Sequence, residues 1–238
     1  MNNPRISVIT VCFNAAASIE RTIKSVVDQS YTNIEYVIVD GGSIDGTVDI
    51  IKNYESLISS WVSEPDKGIY DAMNKGIDMV NGSWVYFLGA GDTLLNILDK
   101  LTPNFTKPNC IYYGNVYRKD LKRIYDGRYT GFKLAVTNIC HQAIFYPLPA
   151  LKKYRYDTKY KMLADHHLNM LCYGDKTFDF KYIPMQIGIY EGDGISAITA
   201  DEEFYKDKIG VVKRNFPFMI YLYAYMRRTM AKALKNKK

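Results

Sequence analysis

In the first half of this chain, apolar runs end in small, polar and acidic residues, and the chemistry can be read from that placement. IEYVIV is closed by Asp40, which opens Asp40-Gly-Gly-Ser-Ile-Asp45-Gly-Thr. ISVITVC is followed by Phe13-Asn14, WVS by Glu64-Pro-Asp66-Lys67-Gly, and WVYFL by Gly89-Ala-Gly-Asp92. An acid that directly ends an apolar run is poorly suited to a turn alone and well placed to accept hydrogen bonds from a nucleoside, so Asp40 is a candidate nucleoside ligand. Asp92 emerges beside residues small enough to leave room for a bulky group. Magnesium and manganese take one or two protein carboxylates together with waters and substrate phosphates, which suits Asp92 to a metal-diphosphate. Plainer roles exist for the same residues: DGGSIDGT is good turn chemistry in which Asp45 or Thr47 caps a helix, and Asp92 could cap a helix starting at Thr93.

These acids share a rim only if the elements before them form one parallel sheet. The order ISVITVC, SIERTIKSVVDQ, IEYVIVD, TVDIIKNY, WVSE, GIYDAMNKGIDMV and SWVYFL reads as βαβαβαβ. Ile19, Ile23, Val26 and Val27 fall on one helical stripe behind a plausible N-cap at Ser18, and Ile69, Met73, Ile77 and Val80 form another. Strands separated by helices of this length predict an α/β fold with a mainly parallel sheet covered on both faces, which collects ligands beyond its carboxyl ends. From Cys110 the pattern changes to tyrosine-rich segments, an apolar AIFYP, a helix around Asp165–Tyr173 and a strand over Phe178–Tyr190, so the second half is expected to be mixed.

Two nucleotide-binding folds are excluded by their glycines. A dinucleotide site needs GxGxxG after the first strand, where this chain has CFNAAAS, and no GxxxxGK[ST] occurs anywhere. The four cysteines make no CxxC, which suggests neither zinc nor a disulfide framework. His166 and His167 are adjacent, point about 100° apart on a helix, and are poorly placed to share one ion.

ISVITVCFN, VIVDGGSIDGT, SEPDKGIYDAMNKGI and the acid ending WVYFLGAGD resemble family 2 GT-A glycosyltransferases of bacterial polysaccharide assembly, of the O-antigen or capsule type. The likeness covers about residues 5 to 196. It implies a GT-A fold and an inverting enzyme that moves a sugar from a nucleotide-diphosphate donor, a UDP-sugar, to a hydroxyl of a lipid-diphosphate-linked saccharide. It also implies a divalent ion, Mn²⁺ or Mg²⁺, on Asp92, although Gly91 stands where many members carry a second acid. The implied donor contacts are Thr10, Phe13, Asn14, Asp40, Gly42, Ser43, Asp66, Lys67, Asp71, Asn74, Ala90 and Gly91. KMLADHHLNML resembles the segment whose acid opens a helix and acts as base, which gives Asp165 that role with an N-cap as the plain alternative. Such a carboxylate would take the acceptor hydroxyl's proton while the metal stabilises the leaving diphosphate. His141, Gln142 and, within YEGDGIS, Ser196 are possible acceptor or phosphate contacts.

Two other activities remain open. A sugar-1-phosphate nucleotidyltransferase shares the architecture but needs a glycine-rich loop with Arg after its first strand, and a non-catalytic nucleotide-sugar-binding protein would fit the degenerate Gly-Ala-Gly-Asp. A glycosidase would also use two carboxylates but has no need of a nucleotide rim.

The 238 residues, 47% hydrophobic and 24% charged, suit one soluble domain. Nine of the 31 Lys and Arg fall within Lys208–Lys238 with no acid, so the net +6 is a property of the tail and the rest of the chain is slightly acidic. That pattern disfavours nucleic acid and suits an anionic surface. The aromatic run Phe216–Met226 is too short for the ~20 residues that cross a bilayer, and with the basic residues behind it resembles an interfacial helix. The expected division is a catalytic domain over 1–207, with a nucleotide-binding half (1–99) and an acceptor-binding half (100–207), followed by a helical tail over 208–238. No export signal is visible in MNNPRISVITVC, so the expected location is the cytoplasm, at the inner face of its membrane.

Overall fold

The computed structural model describes residues 3–125, 127–192 and 201–235. Four strands, β1 (Ile6–Cys12), β2 (Ile34–Asp40), β3 (Ser60–Ser63) and β4 (Trp84–Gly89), lie in the order β3-β2-β1-β4 and run parallel. Parallel neighbours need long crossovers. Helices α1 (Ile19–Val27), α2 (Thr47–Asn53) and α3 (Ile69–Met79) lie in these connections. β1, β2 and β4 are buried along almost their whole length, which is why they read as continuous apolar runs.

Beyond β4 the sheet becomes mixed. β5 (Thr93–Leu94), β6 (Cys110–Arg118), β7 (Arg123–Tyr125), β8 (Ile144–Pro147) and β9 (Asp179–Tyr190) continue it in the order β4-β8-β6-β9-β5, with β7 also on β6. β8 is antiparallel to both β4 and β6, so β6 and its parallel partner β9 run in the direction of β4. The C-terminal ends of β6 and β9 therefore reach the same edge of the sheet as that of β4. The remaining helices are α4 (Leu98–Leu101), α5 (Gly131–Val136), α6 (Leu148–Tyr154), α7 (Ala164–Gly174), α8 (Glu202–Asn215) and α9 (Phe218–Lys235).

Alternation along the strands gives the sheet a core on each face. Ile6, Val8, Ile38, Trp84 and Tyr86 pack with Ile19, Ile23, Ile51 and Leu98 of α1, α2 and α4. Ile9, Val11, Val39 and Phe87 pack on the other face with Met73, Ile77, Leu168 and Val212 of α3, α7 and α8. Of the two expected helical stripes, Ile69 alone lies exposed, at the first position of α3.

Several local expectations change. Ser18 occupies the N-cap position of α1, but its hydroxyl donates to the Ala15 carbonyl instead of capping the helix. Thr93 begins β5 and pairs with Ile189, so Asp92 caps no helix. Asp165 is inside the first turn of α7, whose N-cap position is Leu163. The boundary expected at 207/208 falls within α8, and both C-terminal helices join the domain's helical layer: Val211, Val212, Ile220 and Ala224 are buried in its core.

α3 lies so close to β1 that a Cβ at Gly76 would stand 2.6 Å from Ile9 Cγ2. Gly76→Val is therefore expected to destabilise the fold by about 1–3 kcal/mol, the usual cost of overpacking. Urea denaturation checks this, and an unchanged midpoint would contradict the contact.

Candidate functional site

The register of the first strands sets acids and small residues side by side. Cys12 pairs with Asp40 and Val11 with Gly89. Neighbouring strands are about 4.8 Å apart, so the ends of β2, β1 and β4 form one short rim. The loops after β1 and β2 are laced together across it. The Asn14 N–H donates to Ser43 Oγ (2.7 Å), the Ile44 N–H to Asn14 Oδ1 (3.1 Å), the Ala15 N–H to Thr47 Oγ1 (2.8 Å) and the Ala16 N–H to Asp45 Oδ2 (3.0 Å). Asn14 adopts a left-handed φ of 48° that asparagine tolerates better than most residues. Above the lacing, Phe13 and Ile44 are left 62% and 93% exposed, an apolar pair open at the rim.

Asp40 is fully buried under this loop. Its carboxylate accepts from the Gly42 and Ser43 N–H groups (3.0 and 2.8 Å), the Ser43 and Ser63 hydroxyls (2.5 and 2.7 Å) and the Cys12 thiol (3.5 Å). Burial pushes its carboxyl up, but the Ser43 and Ser63 hydroxyls and the Ser43 N–H outweigh it and hold it below the usual carboxylate range. The acid is spent on shaping the loop, and what reaches the rim is the loop it shapes. Thr10 is also fully buried, and its hydroxyl meets Tyr36 Oη at 3.1 Å inside the core.

The third loop folds back toward the second. Asp66 Oδ1 accepts the Gly68 N–H (2.7 Å), and its Oδ2 lies 2.5 Å from where a Cβ on Gly41 would be, so a side chain there would displace the carboxylate. Asp71 Oδ2 accepts the Lys67 N–H (3.0 Å) while Lys67 itself is exposed. Asn74 is committed to the backbone of Tyr156 through both its amide N–H and its carbonyl (2.8 and 3.0 Å), a clamp between α3 and the segment after α6 in place of the expected donor contact.

After β4, Gly91 takes a φ of 106°; its N–H donates to Thr22 Oγ1 (2.8 Å) and its carbonyl accepts from Arg21. Asp92 is 7% exposed. Its Oδ1 accepts the Glu191 N–H (3.0 Å) and its Oδ2 the Gln142 side-chain amide. Burial, only partly offset by these two bonds, pushes its carboxyl up to about 6. A divalent cation would fit here in two respects: it would relieve a charge that burial penalises, and Gly89 keeps open the side of Asp92 Oδ2 that a Cβ would approach to 3.0 Å. Among the described residues no three His, Cys, Asp or Glu cluster as a metal cage, so Asp92 would share such an ion with substrate oxygens.

Asp165 is 6% exposed on α7. Its Oδ1 accepts the His166 N–H (2.7 Å) and the Tyr70 hydroxyl (3.2 Å), and Oδ2 lies 3.8 Å from His141 Nδ1. Burial pushes Asp165 up to about 6 and pushes His141 down to about 4, so the histidine is neutral at pH 7 and the 3.8 Å approach is not an ion pair. The next residue, Gln142, holds Asp92. One dipeptide therefore joins the acid of the first half to the acid of the second. His166 and His167 face elsewhere: His166 Nε2 meets the Leu134 carbonyl (2.7 Å), and the His167 ring lies edge-on to Tyr160. Ser196 lies outside the described residues.

Tyr70, Arg21 and Glu191 were not singled out from the sequence. Each acquires its place through tertiary pairing and carries no local signal. Arg21 reaches both the Gly91 carbonyl and Glu191 (3.4 Å), and Glu191 is also held by Lys119 (2.8 Å). A cavity of about 530 Å³, lined by Tyr113, Arg128, Tyr173 and Tyr182 among others, borders the first residues of β9, whereas Asp92 is bonded to the residue just past its last. The rim, and not that cavity, gathers the chemistry.

Residues 7–183 match the family model described as Glycosyl transferase family 2. The PGL/p-HBAD biosynthesis glycosyltransferase of Mycobacterium bovis (strain BCG / Pasteur 1173P2) is 32% identical over 216 residues, covering 87% of this chain and 84% of that protein. TarS of S. aureus in complex with UDP-GlcNAc superposes with a TM-score of 0.74 at 16% identity, over 88% of this chain and 66% of that one. The mannosyltransferase PcManGT of Pyrobaculum calidifontis in complex with GDP-Man and Mn²⁺ gives 0.65 at 15% identity, over 90% and 64%. The chain thus spans about two thirds of these solved structures, and at such identities the likeness establishes the fold, which is GT-A.

The raised Asp165 carboxyl has a consequence for stability. A group whose folded pKa lies above its unfolded value supports folding most at pH below the unfolded value, near 4, and loses that support as pH rises through about 6. Asp165→Asn removes the charge burial opposes, so it is expected to be more stable than the parent by up to about 3 kcal/mol at pH 8, with the gain gone by pH 4. Denaturant melts across that range check the sign. A stability gain of the variant over the parent that shrinks as pH rises would contradict it.

Proposed function

The chain belongs to glycosyl transferase family 2, and from that premise we propose that it moves a sugar, with inversion, from a nucleoside diphosphate donor to a hydroxyl of a lipid-diphosphate-linked saccharide in surface polysaccharide synthesis. The observation that carries this is the dipeptide His141-Gln142, which sets a buried acid at each side, Gln142 on Asp92 and His141 beside Asp165. Two carboxylates of raised pKa within reach of one dipeptide supply an ion holder and a base for a single transfer. A UDP-sugar is the first donor to try, in view of the UDP-GlcNAc complex of the S. aureus protein. The role in surface-glycan synthesis draws its support from the mycobacterial relative, a glycosyltransferase of PGL/p-HBAD biosynthesis.

The nucleoside would lie on the laced loops, against Phe13, Asn14, Gly42 and Ser43, whose shape depends on Asp40. Asp66 positions the third loop, and the exposed Lys67 would face the diphosphate. Ala90 and Gly91 leave room for it, and Asp92 would hold Mn²⁺ or Mg²⁺. When bound, such an ion neutralises the departing diphosphate. Asp165, when ionised, takes the proton of the acceptor hydroxyl as its oxygen attacks the anomeric carbon. The donor groups come from residues 1–99 and the base from the second half, in line with a donor half and an acceptor half.

The acceptor's lipid would hold the enzyme at the cytoplasmic face of a membrane. α9 buries Ile220 and Ala224 against the domain and exposes Phe218, Met219, Leu222, Tyr223, Tyr225, Met226 and Met230, with Arg227 and Arg228 on the same helix. An apolar strip flanked by cations suits anionic headgroups. No described helix is long and apolar enough to cross a bilayer.

With UDP-sugars, Mn²⁺ and a lipid-diphosphate glycan, the purified enzyme is expected to form a glycosidic bond, and Asp165→Asn to slow that step by about 10²–10⁴-fold, the usual weight of general base catalysis. Donor screening by mass spectrometry reads both, and an Asp165→Asn enzyme at full rate removes the base assignment. For the membrane face, Phe218→Glu combined with Met226→Glu is expected to abolish sedimentation with phosphatidylglycerol vesicles while leaving transfer to a short soluble acceptor intact. Equal sedimentation of parent and variant would refute that surface.

A further inference from the structure

Asp165 is buried, and among the described residues no cation lies beside it. The titratable groups that bear on it are Tyr70 on α3, Cys140 and His141 in the turn before β8, Tyr146 on β8 and Tyr156 after α6. At pH 7 all of them are neutral, because burial raises the phenols and the thiol and lowers the imidazole. Hydrogen bonds alone must therefore support its charge. Of the side chains that supply them, the Tyr70 hydroxyl stands in an unusual place: its oxygen is 3.2 Å from Asp165 Oδ1 and 2.8 Å from the Met162 carbonyl. A phenol has one proton, and here two acceptors compete for it.

We propose that Tyr70 is the positioning residue of the base, its hydroxyl holding Asp165 Oδ1 so that Oδ2 is the oxygen turned to the acceptor; this rests on Asp165 being the base. Oδ1 already takes the His166 N–H, so Tyr70 and His166 hold the same edge of the carboxylate, while the Asn138 side chain also supports its charge. In the transfer, the acceptor O–H bond breaks and its proton passes to Oδ2. The acceptor oxygen bonds to the anomeric carbon, and the bond from that carbon to the diphosphate breaks with the electron pair leaving on the diphosphate. Once protonated on Oδ2, Asp165 offers Oδ1 only as a carbonyl, a weaker acceptor than a carboxylate oxygen. The Tyr70 proton can then turn to the Met162 carbonyl, while Oδ1 keeps the His166 N–H.

The sequence context adds to the role. Tyr70 lies two residues after Gly68, in the first turn of α3, where the Lys67 N–H is held by Asp71 and the Gly68 N–H by Asp66. One helix end thus anchors the donor loop and the partner of the base, and the two reactants are referenced to the same rigid element.

Tyr70→Phe tests this, because it keeps the ring that packs 5.2 Å from Tyr156 and removes only the hydroxyl. The expected result is a kcat about 10-fold lower with donor KM, UDP affinity and melting temperature near those of the parent. Losing a hydrogen bond to the ionised form raises the pKa of a carboxyl, so the acid limb of the kcat/KM profile should move up by roughly one pH unit. In an Asp165→Asn background, replacing Tyr70 should have no further effect on the residual rate. A Tyr70→Phe enzyme with the parent's rate and acid limb overturns the proposal, as does a full additional loss in the Asp165→Asn background. Asp165→Asn at the parental rate overturns the base itself, and the role of Tyr70 with it, which separates that failure from the other two.

Discussion

The candidate site is organised by one constraint: Asp40, Asp92 and Asp165 are buried there, and among the described residues no cation is in direct contact with them. An ionised carboxylate away from water is tolerated only if donors surround it. Here the donors come from loops of different strands and helices, so satisfying each acid also ties those elements together. Asp40 draws on Gly42, Ser43 and Ser63, Asp92 on Gln142 and Glu191, Asp165 on His166 and Tyr70. The same bonds that hold the loops decide how readily each acid ionises.

The three acids are satisfied to different extents, and the difference runs parallel to the roles proposed for them. Asp40, with five donors, is held below the usual carboxylate range. Asp92 and Asp165 accept fewer bonds than burial demands and are pushed up to about 6. A carboxylate left short of donors gains most from a cation or a proton, which is the property required of an ion holder and of a base. Their under-solvation is a cost in stability retained at the place where chemistry needs it.

Much of the architecture was legible because it depends on local pattern. Apolar runs and helical stripes marked β1 to β4 and α1 to α3, and register then carried Asp40 and Gly89 to one rim without further instruction. Side-chain direction was less legible. Thr10 belongs to a strand that ends at the rim, but two residues before its end, where the side chain enters the core beside Tyr36. The tail was read from composition as separate, whereas Val211, Val212, Ile220 and Ala224 place its helices in the core, a fact fixed by packing against α5 and α7 and not by charge. Tyr70 and Glu191 meet their acids 95 and 99 residues away, distances over which one sequence offers no pairing signal.

The connection through residues 140–142 bears on how the two halves act together. Gln142 donates its side-chain amide to Asp92, while its backbone carbonyl accepts from the Tyr86 hydroxyl and its side-chain oxygen from the Cys140 thiol. Tyr86 lies in β4, fully buried against Phe145 of β8, which fixes this turn to the centre of the sheet and not to a surface loop. Any shift of Asp92 upon meeting an ion and diphosphate would therefore be transmitted to a turn whose neighbouring residue, His141, lies 3.8 Å from Asp165 Oδ2. A closely packed interior passes displacement on instead of absorbing it. On the proposed roles, the three residues 140–142 are the segment that lies between the ion holder and the base.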